Sequence, residues 1–284
     1  MTIAEAIETG AARLREEAIP DPEREASLLL RLALKRDAAF VYAHPEYRLN
    51  AVEAILFKAV VKRRAEREPY QYIAGTQEFY GLDFAVTPDV LIPRPETEIL
   101  VEAAIKELKE VDAPKFCEIG VGSGCIAVSI LANAQNAKAV GVDVSEKALA
   151  VARANAESNG VADRLDLRIS NIFENVLEED FDAVISNPPY VPTPDIEGLP
   201  SEVRLFEPHT ALDGGIDGLD IVRNIVNDSS KYLKPYGLLF LEIGWNQSGK
   251  VKAMLSENVW QEINFLPDLQ GISRIVAAKL APGS

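Results

Sequence analysis

The run Phe116-Cys117-Glu118-Ile119-Gly120-Val121-Gly122-Ser123-Gly124-Cys125 decides how this chain is built. Residues 116–119 read as a short, mostly apolar strand, three glycines follow at alternate positions, and residues 125–131 open a helix. A strand passing through a glycine turn into a helix begins a βαβ unit. Downstream the alternation continues. Strands are predicted at 139–143, 165–169, 181–186 and 238–243, with helices at 146–158, 219–233 and 247–257. Two closing strands follow at 262–265 and 273–279. Strands spaced by helices of this length predict an α/β fold with a parallel, doubly wound sheet. Only seven residues, 266–272, separate the last two strands. That is too short for a helical crossover, so this pair is predicted antiparallel.

Upstream of the run the pattern is helical. Asp21-Pro22-Glu23 is a helix start leading into Leu28, Leu29, Leu30, Leu32 and Leu34. A further helix is predicted over 51–67, with Val52, Ile55, Leu56, Ala59, Val60 and Arg63 on one face, and Pro69 stops it. Residues 79–86 read as a hairpin pivoting near Gly81, and Pro93 and Pro95 fix an extended link before a helix near Glu96. The expected domains are therefore 1–75, helical; 76–93, a linking β-hairpin; and 94–284, the sheet domain. No internal repeat is visible.

At 284 residues, 48% hydrophobic and 26% charged, the chain has the composition of a soluble globular protein. No apolar run approaches the 18 or so residues of a membrane span, and the first residues lack the basic region and apolar stretch of a secretion signal. Cys117 and Cys125 are too few for a disulfide framework and sit at no zinc spacing. The expectation is a cytoplasmic protein with no metal and no membrane. Net charge is −15. Residues 1–86 carry 12 Lys/Arg and 14 Asp/Glu, a net of −2; residues 87–284 carry 17 and 30, a net of −13. Such a field repels a phosphate backbone, so direct nucleic-acid binding is not expected. The basic run Lys58, Lys62, Arg63, Arg64 and Arg67 reads as a solvated helix face, with a docking surface for a partner as the alternative.

The glycines let a ligand approach where a Cβ would block it. A dinucleotide fingerprint would need Gly at position 125, where Cys stands, which disfavours a nicotinamide cofactor. Asp143 ends the next strand at the offset where an acid accepts ribose hydroxyls. A nucleotide-like ligand without a pyrophosphate points to S-adenosyl-L-methionine. Glu118 has two open readings, an exposed strand-end acid or part of the ligand site. Cys117 and Cys125 read as small buried residues, and His44 and His209 have no ligating neighbours in sequence.

Asn187-Pro188-Pro189-Tyr190 follows the fourth strand, at the carboxyl edge where such sheets bind ligands. Consecutive prolines hold an extended turn that presents carbonyls and no N–H. A planar NH2 group can donate one hydrogen to the Asn187 side-chain carbonyl and the other to the Pro188 carbonyl. That grip favours pyramidalisation of an otherwise delocalised amide nitrogen and aims its lone pair at a methyl. Tyr190 can pack against the planar group.

The glycine loop with Asp143 resembles the Rossmann-like methyltransferases, in which the loop lies against the cofactor's methionine part and the acid holds the ribose. Further strings narrow the resemblance. They are Pro69-Tyr70-x-Tyr72-Ile73-x-Gly75, Phe79-x-Gly81-x-x-Phe84-x-Val86 and Val90-Leu91-Ile92-Pro93-Arg94-Pro95-Glu96-Thr97-Glu98. After Asn-Pro-Pro-Tyr come Phe206-Glu207-Pro208 and Ala211-Leu212-x-Gly214-Gly215-x-Asp217-Gly218-Leu219. Together, from about residue 22 to 279, these closely resemble the release factor glutamine methyltransferases (PrmC/HemK family). The resemblance implies a class I methyltransferase sheet with an antiparallel last strand and a small helical N-terminal domain that reads the substrate. It implies methyl transfer from S-adenosyl-L-methionine to N5 of the glutamine in the Gly-Gly-Gln motif of class 1 peptide chain release factors. The site residues it implies are Glu118, Gly120, Val121, Gly122, Ser123, Gly124, Asp143, Asn171, Ile172 and Asn187 for the cofactor. Asn187, Pro188, Pro189 and Tyr190, with Arg94 and Glu96, would serve the substrate. Family members often place Asp-Trp where Asn171-Ile172 stands, so adenine stacking is weaker here. Arg94, Glu96 and Thr97 either shape the floor near the methionine end or serve as salt-bridge and capping residues. Phe206-Glu207-Pro208 is either a packed connector or part of the site. Rival readings are a glutamine methyltransferase of a large-subunit ribosomal protein, an adenine N6 methyltransferase, and a non-catalytic cofactor-binding scaffold.

Overall fold

A computed structural model describes residues 1–177 and 180–282. Glu178, Glu179, Gly283 and Ser284, which fall within the expected sheet domain, lie outside the described residues. In chain order the helices α1 (Ile3–Glu16), α2 (Pro22–Leu34), α3 (Ala38–Ala43), α4 (Ala51–Ala65) and α5 (Tyr70–Ala74) come first. The hairpin β1 (Thr76–Phe79) and β2 (Leu82–Ala85) follows, then α6 (Thr97–Leu108). The alternating part comprises β3 (Lys115–Ile119), α7 (Cys125–Asn133), β4 (Lys138–Asp143), α8 (Glu146–Ser158), β5 (Leu165–Ile169) and β6 (Phe181–Ser186). It continues with α9 (Ser201–Phe206), α10 (Asp220–Asp228), β7 (Leu233–Glu242), α11 (Ser248–Met254), β8 (Trp260–Pro267) and β9 (Ser273–Leu280). Two compact units result: Met1–Gly75 with Pro200–Phe206, and Thr76–Leu199 with Glu207–Ser284.

Three helices of the helical unit carry start signals. Thr2 and Glu5 form a capping box on α1, Asn50 and Glu53 another on α4, and Pro22 starts α2. Its core joins Ile3, Leu14, Leu29, Leu30, Phe57 and Val61, and Gly10 gives room for the Phe57 ring. Two expectations fail on α4. Val52, Ile55 and Leu56 are exposed, and the buried face is Phe57, Val61, Arg64 and Ala65. The apolar residues of this helix fall on two faces, and the packed one is that carrying the aromatic ring. The basic run is also not a uniformly solvated face. Arg64 is buried and donates from Nε to Glu25 Oε2 at 2.8 Å and from Nη1 to Glu202 Oε1 at 3.3 Å. Arg67 reaches the same Glu202 oxygen at 3.2 Å and the Glu17 carbonyl. Only tertiary partners, remote in sequence, make burial of a guanidinium affordable.

In the second unit the order β5-β4-β3-β6-β7-β9-β8 forms one seven-stranded sheet. The strands β3 to β7 pair in parallel, while β9 runs antiparallel to both β7 and β8. The antiparallel last strand is thus as expected. Two apolar layers cover the sheet: one around Leu100, Ile130 and Leu131, the other around Val222, Ile225 and Leu241. The strands at 165–169 and 181–186 and the helix at 146–158 lie where expected, but helix 219–233 is shorter, ending at Asp228. Beyond it Leu233 already pairs with Phe181, and a register irregularity follows before Leu238 joins Ala183. Pro235 and Gly237 interrupt the apolar pattern there, which concealed the strand's first half.

Candidate active site

The chain winds one way from β3 to β4 and β5, then restarts beside β3 with β6. Ligands bind at such a reversal, outside the carboxyl ends of the strands. Ser186, the last residue of β6, donates from Oγ to the Ile119 carbonyl at 2.7 Å and ties the two strand ends together. From these ends spring the glycine loop and the Asn187-Pro188-Pro189-Tyr190 turn. Between them lies a cavity lined by Glu118, Gly120, Val121, Gly122, Ser123, Asp143, Asn171, Ile172, Asn187, Pro189 and Arg94. Gly124, Pro188, Tyr190 and Glu96 are not on that lining.

The glycine loop is held by side chains from three elements. Asp143 accepts the Gly122 N–H on Oδ2 and the Ser145 N–H on Oδ1, both at 2.9 Å. Glu118 is buried, which removes the exposed-acid reading, and accepts the Ala127 N–H of α7 at 2.8 Å. Burial raises its carboxyl well above the ordinary range, Asp143 adds to the rise, and the Ala127 N–H opposes it. Asn155, buried within α8, donates to the Ser123 carbonyl at 2.8 Å and exchanges hydrogen bonds with both backbone groups of Ala85. Gly120 has a positive φ of 73° with open space where a Cβ would stand. Gly124 answers a different need: its φ is 81°, and a Cβ there would lie 3.3 Å from the Ala152 Cα of α8. Cys117 is buried, and burial pushes the Cys125 thiol up to about 12, so neither is a ready nucleophile.

The proline turn is braced from behind by the Gly-Gly-x-Asp-Gly string. Val191 donates to the Leu212 carbonyl and accepts from the Gly214 N–H, each at 2.9 Å. A Cβ on Gly218 would come within 2.3 Å of the Tyr190 carbonyl, and one on Gly214 within 2.7 Å of the Pro189 carbonyl. Gln247 completes the brace, donating from Nε2 to the Tyr190 carbonyl at 2.9 Å and to the Gly218 carbonyl at 3.0 Å. Opposite, the Asn187 amide donates from Nδ2 to Thr97 Oγ1 at 3.2 Å. Thr97 donates in turn to Glu242 Oε2 at 2.6 Å, and the Tyr190 hydroxyl lies 3.4 Å from Glu242 Oε1. Burial pushes the Glu242 carboxyl up to about 7, with Thr97, Tyr190 and Arg274 pulling down and Glu96 pushing up. Burial likewise raises the Tyr190 hydroxyl.

Arg94 pairs with Glu207, whose other oxygen accepts the Ile92 N–H at 3.3 Å. Phe206-Glu207-Pro208 is therefore no mere connector, since its acid neutralises a cation on the cavity wall. Asn171 donates to Glu174 Oε1 at 2.9 Å. Ile172 adopts a φ of 52°, rare for a β-branched residue, in a turn where Ser170 Oγ donates to its carbonyl at 3.0 Å. Sequence reasoning missed Asn155, Gln247 and Glu242. Glu242 alone left a signal, an acid inside the apolar run of a central strand.

Two family models match the chain: a PrmC N-terminal domain over residues 5–75 and a methyltransferase small domain over 96–197. The release factor glutamine methyltransferase of Geobacter sulfurreducens is 42% identical over 279 residues, covering 98% of this chain and 97% of the relative. The chain belongs to the release factor glutamine methyltransferase family. It is accordingly an enzyme that takes its methyl group from S-adenosyl-L-methionine. Within that family the Cereibacter sphaeroides release factor glutamine methyltransferase is 41% identical over 280 residues, 99% of each chain. A solved methyltransferase from Pyrococcus furiosus, with a TM-score of 0.53, 20% identity and coverage of 78% of this chain and 99% of that one, shares the fold.

Proposed function

We propose that this enzyme methylates N5 of the glutamine in the Gly-Gly-Gln motif of class 1 peptide chain release factors, in the cytoplasm. The observation that carries the reading is the orientation of Asn187. Its NH2 end is taken by Thr97, so its Oδ1 is the end offered to a ligand. Such an acceptor suits the NH2 of a substrate amide, and the Pro188 carbonyl is the natural second acceptor. Adenine N6 would satisfy the same grip, but the net −13 over residues 87–284 disfavours a polyanion.

The lining fits S-adenosyl-L-methionine. Its single guanidinium, Arg94, is neutralised by Glu207; of its acids, Asp89 is answered by Lys147, burial pushes Glu118 toward the neutral form, and Asp143 has no ion pair among the described residues. That is a wall for a ligand carrying an ammonium and a sulfonium. Bound there, the cofactor supplies an electrophilic methyl. Asp143 and the backbone of Gly120, Val121, Gly122 and Ser123 would hold its ribose and methionine parts, and Asn171 and Ile172 its adenine. Asn187 and Pro188 hold the substrate amide, Pro189 stiffens the turn, and Tyr190 packs behind it. Arg94 and Glu96 flank the substrate's entry. Orientation of this kind can supply roughly 7–11 kcal/mol of barrier lowering. No general base is needed before transfer.

The helical unit is the natural reader of the protein substrate. A loop alone offers too little area for stable recognition, which typically buries about 1,600 Å² in total. On α4, Val52, Ile55 and Leu56 form an exposed apolar strip beside Lys58 and Lys62. The test is incubation with S-adenosyl-L-methionine and an unmodified release factor, followed by mass spectrometry of the loop peptide. One added methyl on the glutamine of Gly-Gly-Gln is expected. Ile55→Glu should slow methylation of the whole factor while sparing a loop peptide. Methylation of a ribosomal-protein glutamine instead would keep the chemistry and replace the substrate.

A further inference from the structure

We infer that Thr97 and Glu242 are positioning residues that fix which end of the Asn187 amide faces the substrate. The inference rests on the amide-gripping reading above and goes beyond it, because both residues act through Asn187: Thr97 meets the cavity beside Asn187 and Glu242 lies behind it, off the lining.

The argument is one of hydrogen-bond polarity. An ionised carboxylate can only accept. The 2.6 Å contact therefore obliges the Thr97 hydroxyl to point its single hydrogen at Glu242 Oε2. The lone pairs of Oγ1 are then what Thr97 shows to Asn187, 3.2 Å away. Only the NH2 end of Asn187 can answer a lone pair, so Oδ1 is turned outward as an acceptor. The same carboxylate takes the Tyr190 hydroxyl on its other oxygen. Glu242 thus sets two of the four residues of the turn at once. It does so from the end of β7, a different element, with Thr97 at the first position of α6 as intermediary. Thr97 and Glu242 are each 2% exposed, so water does not compete for these bonds.

Protonation reverses the relay. A neutral Glu242 can donate to Thr97, whose hydrogen then swings toward Asn187 and demands a carbonyl there. The amide flips and offers NH2 to a substrate that also offers NH2. Two donors face each other and the grip is lost. The groups around Glu242 are Thr97 and Glu96 at the start of α6, Tyr190 after β6, Arg274 on β9 and Cys125 on α7. Arg274 favours the carboxylate and Glu96 opposes it, with burial the largest influence. Turnover should therefore rise with pH through a midpoint near 7 set by this group.

Three measurements test this. Thr97→Val, which keeps the shape and removes the hydroxyl, should lower kcat on the release factor about 30-fold or more with the cofactor KM within about 3-fold, and Thr97→Ser should restore most of the loss. The pH dependence of kcat near 7 should vanish in Glu242→Gln, because an amide does not titrate. Independently of any substrate, the side-chain amide 15N resonance of Asn187 should move with pH in the wild type and stay fixed in Glu242→Gln. A wild-type protein that fails to methylate the factor overturns the substrate reading, and the resonance still decides the relay. A pH-invariant resonance, or Thr97→Val with full kcat, overturns the relay while leaving the substrate reading in place.

Discussion

Both units bury charge, but only the sheet unit leaves part of it unneutralised among the described residues. In the helical unit Arg64 lies between two carboxylates, Glu25 and Glu202, and Arg67 shares the second. Despite desolvation, the Glu202 backbone N–H and the two guanidiniums hold Glu202 below the usual carboxylate range. In the sheet unit Glu118 and Glu242 are buried with no ion pair among the described residues, and burial raises both. One unit neutralises what it buries; the other keeps two acids desolvated, each at the carboxyl end of a central strand. Unpaired burial of this kind destabilises, and it concentrates where a fold prepares a site. Neutralised burial occurs in both units, at Arg64 and at the Glu207–Arg94 pair, whereas unneutralised burial, at Glu118 and Glu242, lies at the candidate active site.

The contrast can be broken most sharply at Asn187. Asn187→Ala should remove nearly all turnover, by about 10³-fold, since it deletes a preorganised acceptor at the reacting group. Cofactor affinity by calorimetry should stay within a few-fold, and full turnover would sink the amide grip. Arg64→Ala comes next. Leaving Glu25 without its cation and Glu202 with Arg67 alone should cost about 3 kcal/mol in chemical denaturation. Lys62→Ala, on the same helix but exposed, is the control and should stay within about 0.5 kcal/mol. Equal effects at the two positions would restore the solvated-face reading.

Glu242→Gln gives the subtlest effect and carries a sign. The folded carboxyl titrates near 7 against an ordinary 4.5. Its proton is therefore held more tightly by the folded state. The stability this contributes is present below the ordinary value and is lost as pH rises through about 7. The glutamine variant does not lose it. The melting temperature of the variant relative to wild type should climb between pH 4.5 and 7.5, by the equivalent of roughly 3 kcal/mol at most, and level off above that. A difference that does not change with pH would show that Glu242 titrates normally.

Much of this was legible in the chain. The strand at 165–169 and the helix at 146–158 follow from local apolar periodicity, and the glycine loop and proline turn advertise themselves by composition. What escaped reading depends on partners far apart in sequence. Arg64 looks like any helix-surface arginine until Glu25 and Glu202, 39 and 138 residues away, close on it. Glu242 looks like a strand-end acid until Thr97 and Tyr190 meet it, 145 and 52 residues away. Gln247 reads as a helix start and is in fact the brace of the turn. Periodicity reports which face of an element is buried on average, and it is silent on which polar group finds its complement there. Even the face can be misread, as α4 shows.

The excursion of Pro200–Phe206 into the helical unit has a practical corollary for anyone cutting or grafting this chain. The N-terminal 75 residues are not an appendage on a single tether, because the backbone returns to them between Leu199 and Glu207. A protease nick after Gly75 would leave the helical unit without a separable product, its sixth helix still spliced into the other polypeptide half. Conversely, a gene trimmed to begin at Thr76 would encode α9 with Glu202 stripped of both guanidiniums. Gene-fusion or domain-exchange libraries therefore have to move two segments together, 1–75 and 200–206, for either to retain its native partners.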